Sequence, residues 1–144
     1  MNLVSLRVIT ADINRLVAFY EKATGIPATW STPDFAEIGT GVATLAIGSE
    51  RTVPLFAPGA ARAADNHSVI IEFLVPDVDA VHAATPGAVQ EPTTMPWGNR
   101  SLLVRDPDGN LVNFFTPVTD AAKAKFQRAG THSCQEPTSR KPRP

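Results

Sequence analysis

A single cysteine in 144 residues rules out a disulfide within the chain, and Cys134 alone supplies no thiolate cluster for a metal. No apolar run approaches the length of a membrane span, and no signal-like apolar segment follows a basic start. A cytoplasmic location without a membrane partner is therefore expected. The net charge of -1 lacks the strong basic excess that would mark a polyanion binder. What charge there is lies unevenly. Residues 1–117 carry seven Lys/Arg against twelve Asp/Glu, whereas 118–144 carry six against two. The end of the chain is rich in Pro, Ser, Thr and Arg with little to bury, so 130–144 is expected to be a disordered basic tail. Arg140, Lys141 and Arg143 fit a solvated end, and no nucleic-acid partner is expected.

The chain as a whole is 43% apolar and long enough for one domain with a real core. A weak repeat organises it. Residues 3–9 form a strand candidate followed by Asp12, and Ile13, Leu16, Val17 and Tyr20 then recur at helical spacing, with Asp12 as N-cap and Gly25 placed to end the helix. Residues 68–75 repeat the strand, Asp77 the cap and Val78 and Val81 the helix, 65 residues later. Each unit is followed by short strand candidates, at 28–31, 35–38 and 42–47 and again at 88–90, 100–104 and 111–115. The chain is thus α+β: two βαβββ modules, 1–48 and 67–117, joined by a linker at 49–66 and followed by a short helix at 118–129.

The most specific stretch is Arg105-Asp106-Pro107-Asp108-Gly109-Asn110-Leu111. Pro107 presets a turn and Gly109 supplies a left-handed position, so the strands on either side read as a β-hairpin. Three motifs together carry a resemblance. They are the first strand–Asp–helix unit with Phe19-Tyr20 and Gly25, the Glu72-Phe73-x-Val75-x-Asp77-Val78-Asp79 segment, and the Asp-Pro-Asp-Gly hairpin preceded by Trp97-Gly98. In these the chain resembles the vicinal oxygen chelate superfamily of glyoxalases, bleomycin-resistance proteins and extradiol dioxygenases. The resemblance implies paired modules whose curved mixed sheets enclose a cup, often completed in a homodimer.

The resemblance also implies where a metal would sit in metal-dependent members, namely at Ser5, Ala46, Ile70 and Asn113 here. Such ions want imidazole, carboxylate or thiolate donors, whereas these residues offer at best two weak neutral oxygens. No metal and no cofactor is expected. His67 falls on the wrong strand parity, His82 on an outward helix position and His132 in the tail.

Strand parity populates the cup with Ser5 and Arg7, with Ile70 and Glu72, and with Asn113 and Phe115. Arg7 and Glu72 either pair with each other or meet a ligand. Glu72 in a partly apolar pocket is the candidate general base. Trp97 either stacks on a planar ligand or fills the core rim or dimer interface. Arg100 is placed to meet an anionic ligand group or to stand exposed at a strand end. Beside a structural or regulatory partner protein acting through a dimer surface or the basic tail, two functions compete. One is a metal-independent binder of a partly aromatic small molecule, of the bleomycin-resistance type. The other is a glyoxalase-like lyase, isomerase or dioxygenase with a non-standard metal site or with Glu72 as base.

Overall fold

The structure, a computed structural model, describes residues 1–130. Residues 131–144, which include most of the expected tail, Cys134 and His132, lie outside the described residues. The first module runs β1 (Ser5–Thr10), α1 (Ile13–Thr24), β2 (Thr29–Thr32), β3 (Phe35–Gly39) and β4 (Thr44–Ser49). The second runs β5 (Ile70–Leu74), α2 (Val78–Ala84), β6 (Gln90–Thr94), β7 (Asn99–Arg105) and β8 (Leu111–Pro117), and α3 (Asp120–Gly130) follows. Each module forms its own four-stranded mixed sheet, in the orders β1-β4-β3-β2 and β5-β8-β7-β6. β1 pairs parallel with β4 and β5 with β8, while the other neighbours are antiparallel. A parallel pair cannot be closed by a tight turn, so a helix must cross between its strands.

Local sequence starts and stops those helices. The Asp12 carboxylate accepts the Arg15 N–H at 3.0 Å, and the Asp77 carboxylate accepts from Asp79 and Ala80 at 3.0 and 3.2 Å. Gly25 ends α1 at φ 71°, donating to Glu21 O at 2.9 Å. Ile13, Leu16, Val17, Tyr20 and Ala23 form the buried stripe of α1. They meet Ile38, Leu45 and Ile47 of the first sheet and join one core with Ile71, Leu102, Val104, Val112 and Phe114 of the second. Each such large side chain, fully buried, stabilises the fold by about 1.5–3 kcal/mol.

The modules meet on their helix side, where α1 packs on α2. Tyr20 lies edge-on to Phe19 and tilted against Phe73, which stacks on Phe114 at 5.4 Å. The hairpin forms as its residues dictate. Gly109 takes φ 83°, and Asp106 Oδ1 accepts from the Asp108 and Asn110 amides, both at 2.9 Å. Asp106 Oδ2 takes Asn110 Nδ2 at 2.8 Å and the Tyr20 hydroxyl at 2.7 Å. Arg15 reaches the same turn at Pro107 O, 2.9 Å away.

Element ends differ from expectation where pairing decides them. β1 begins at Ser5 rather than at 3, because its ladder starts with Thr44 and leaves Leu3 and Val4 exposed. Asn66 Oδ1 holds the amides of Ser68 and Val69 in a turn, which delays β5 to Ile70. β6 carries Pro92 and runs to Thr94, tolerable because it is an edge strand. The linker contains an unanticipated 3-10 helix, Glu50–Leu55, capped by Ser49.

Candidate functional site

The first sheet is open on the face away from α1, and the second on the face away from α2 except where α3 crosses it. On the first, register aligns Ser5 with Thr44, Arg7 with Ala46 and Ile9 with Gly48, and β3 adds Phe35 and Glu37. The linker helix folds over one end of this face. A Cβ on Gly48 would lie 2.9 Å from Thr52 Oγ1, so only glycine lets the two approach. Arg7 lies between two rings, its guanidinium carbon 4.7 Å from the Phe35 centroid and 5.0 Å from that of Phe56.

On the second sheet the open face carries Ile70, Glu72 and Leu74 beside Leu111, Asn113 and Phe115, with Ser101 and Leu103 of β7 opposite the last two. Glu72 is paired with Asn113 in register, and Asn113 Nδ2 donates to Glu72 Oε2 at 2.7 Å. Phe115 is buried because α3 crosses it, with Phe126 5.1 Å away. Ile70 and Leu74 remain half exposed, at 50% and 52%. A cation held by two rings and a carboxylate beside an amide, both set among apolar walls, suit a small amphipathic ligand.

The structure brings Glu72, Asn113, Ile70 and Phe115 together and places Ser5 and Arg7 on the other sheet. Arg7 and Glu72 do not pair: among the described residues no hydrogen bond or ion pair joins the two open faces. Arg100 points to the opposite side of its sheet. There it holds both oxygens of Asp79 on α2 at 2.8 and 3.0 Å, away from the face that carries Glu72 and Asn113. These bonds hold the Asp79 carboxyl below its usual value and raise the Arg100 guanidinium. Trp97 stands 63% exposed in the β6–β7 turn. His67 is exposed ahead of β5, while His82, expected outside, is half-buried on α2 with Nδ1 unpartnered.

Sequence parity missed several members of these faces. Glu37 and Ser101 follow from the alternation in β3 and β7 once pairing is known. Phe56 and Phe126 lie outside the repeat and carry no signal in it.

The four positions implied for a metal are Ser5, Ala46, Ile70 and Asn113. A hydroxyl, a methyl, a butyl group and an amide already bonded to Glu72 do not suit a divalent ion. Among the described residues no three His, Cys, Asp or Glu side chains gather into a cluster.

Residues 2–114 match the family model of the Glyoxalase/Bleomycin resistance protein/Dioxygenase superfamily. Among solved structures, one described as a conserved domain protein is 27% identical, with TM-score 0.65, over 81% of this chain and 99% of that one. A glyoxalase/bleomycin resistance protein/dioxygenase from Nocardioides is 18% identical, with TM-score 0.66, over 83% of this chain and 85% of that one. A glyoxalase/bleomycin resistance protein/dioxygenase family enzyme from Burkholderia phytofirmans PsJN is 19% identical, with TM-score 0.68, over 82% of this chain and all of that one. No curated protein matches the chain. Among the described residues no helix is long and apolar enough to cross a membrane.

Proposed function

Because this chain belongs to the Glyoxalase/Bleomycin resistance protein/Dioxygenase superfamily, we propose that it binds a small, partly aromatic molecule on its open sheet faces without a metal. The observation that carries this reading is the donor-poor set Ser5, Ala46, Ile70 and Asn113 on faces otherwise equipped for an amphipathic guest. Arg7 between Phe35 and Phe56, and Glu72 with Asn113 among Ile70, Leu74 and Phe115, are the groups that would hold it. Trp97, exposed beside the second sheet, is available to stack.

In this reading a homodimer closes the cup and covers half-exposed Ile70 and Leu74. The protein then works in the cytoplasm as a bleomycin-resistance-type binder, holding its ligand away from a target. Native mass spectrometry of the purified protein tests it. A co-purified organic ligand, insensitive to chelator and absent from an Arg7→Gln/Glu72→Gln variant, is expected. A stoichiometric divalent metal would overturn it.

The Glu72 carboxylate supports a second reading, in which a glyoxalase-like lyase, isomerase or dioxygenase uses Glu72 as general base. Asn113 engages one of its oxygens and would orient it toward a substrate C–H or O–H. Turnover in a screen with and without Zn²⁺, Ni²⁺, Mn²⁺ or Fe²⁺, lost in Glu72→Gln, would favour this alternative.

A further inference from the structure

Three polar atoms on the second sheet are sealed from solvent without a partner: Asn99 Oδ1, Ser101 Oγ and Asn113 Oδ1. Asn99 and Ser101 are only 9% and 6% exposed. Buried polar atoms are nearly always satisfied, so three orphans on one face require a cause. Register lines them up: Asn99 opposes Pro117, Ser101 opposes Phe115, Leu103 opposes Asn113, and Asn113 opposes Glu72. A diagonal row therefore runs Glu72, Asn113, Ser101, Asn99. The two amide oxygens and the carboxylate accept only, and the serine hydroxyl can accept. Arg105, the basic residue that register puts on this face, donates to Gly109 O at 2.9 Å.

The same face is crossed by α3, which begins beyond the residues that match the family model. Its start is pinned. Gly98 O accepts the amides of Val118 and Thr119, and a Cβ on Gly98 would lie 2.0 Å from Thr119 Oγ1. Farther along it rests on buried Ala122 and on the contact of Phe126 with Phe115. Among the described residues, α3 is fixed at its start by the bonds to Gly98 and lays Phe126 on Phe115 farther along, the arrangement of a hinged cover.

We infer that α3 is such a cover, and that the row beneath it takes the N–H groups of a planar cationic ligand, such as an aromatic amine, amidine or guanidine. The ligand ring replaces Phe126 against Phe115. Its N–H groups supply the donors that Asn113 Oδ1, Ser101 Oγ and Asn99 Oδ1 lack, and Glu72 is the counter-charge. This deepens the binding reading above and rests on it.

The test uses the full chain, with chelator present, and two dyes of opposite charge: proflavine, a planar cation with ring amino groups, and 8-anilinonaphthalene-1-sulfonate. Saturable proflavine binding is expected, weakened about tenfold by Glu72→Gln and several-fold by Ser101→Ala. Ser101→Ala deletes an unpartnered buried hydroxyl, so its melting temperature should hold while its binding falls, which separates recognition from folding. Phe126→Ala should tighten proflavine binding several-fold, and proflavine should speed amide exchange across 120–127 in the parent chain. Binding of the sulfonate alone would overturn the ligand class and leave a metal-free binder standing. Binding of both dyes, unmoved by Glu72→Gln, Ser101→Ala and Phe126→Ala, would overturn the row and the cover. Binding of neither dye would overturn this inference, while native mass spectrometry would still judge the broader reading separately.

Discussion

The Tyr20 hydroxyl, on the helix of the first module, donates to Asp106 Oδ2 at 2.7 Å in the hairpin of the second. Tyr20 has no exposed surface and Asp106 is 4% exposed, so the bond joins the modules away from water. Replacing Tyr20 by Phe removes that donor and leaves a buried carboxylate oxygen with Asn110 Nδ2 alone. Denaturant unfolding should show a loss of about 1–3 kcal/mol.

The same phenol predicts alkaline behaviour. Burial, then the charge and hydrogen bond of Asp106, push its ionisation far above the ordinary value of 10.0. A group whose folded value is raised contributes stability that is fully present below its unfolded value and is lost as pH rises beyond it. Unfolding midpoints should therefore fall above pH 10 in the parent chain and be flatter there in Tyr20→Phe.

At the acid end the sign reverses. Arg100 holds Asp79, and Arg51 holds Asp34, below the usual carboxyl value of 3.8, chiefly by side-chain hydrogen bonds. A depressed folded value gives stability that is present above the unfolded value and is lost as pH falls through the folded one. Both pairs are exposed and screened, so the effect is small. Arg100→Met should lower the melting temperature slightly at neutral pH, and its difference from the parent chain should shrink as pH falls below 3.8.

Gly98 is buried at φ 91° against Thr119. Gly98→Ala meets both a strained backbone and a side-chain clash, and should cost about 1–3 kcal/mol in thermal unfolding. Adding Thr119→Ala should recover part of that loss but not the share due to φ.

If the four donor-poor positions do converge in a closed cup, they can be made to bind metal. The quadruple variant Ser5→His, Ala46→Glu, Ile70→His, Asn113→Glu is expected to retain stoichiometric Zn²⁺ through desalting, and the parent chain is not. Elemental analysis of both proteins checks this.

Both modules and their helix caps could be read from Asp12, Asp77 and the apolar spacing around them, because N-capping and periodicity are local. The hairpin followed from Pro107 and Gly109 for the same reason. Sharing of a face by Asn113 and Phe115 also followed, since parity within a strand needs no knowledge of its neighbours, whereas setting Glu72 beside Asn113 rests on the β5–β8 register. Partners across strands and helices were harder to see. Arg100 lies on the helix side because β7 pairs Arg100 with Thr116, a register set by the hairpin turn at 106–110. Arg7 has aromatic neighbours rather than Glu72 because the linker helix brings in Phe56, and no periodicity marks that return. Phe126 reaches Phe115 from a helix outside the repeat.

Each sheet takes its strands from one continuous stretch, the first from 5–49 and the second from 70–117, and no ladder crosses between them. The backbone could thus be severed between Gly59 and Ala60 without breaking any strand pairing. Two separately expressed halves are expected to reassociate through the Tyr20–Asp106 bond and the helix contact, which makes the protein a natural candidate for fragment complementation.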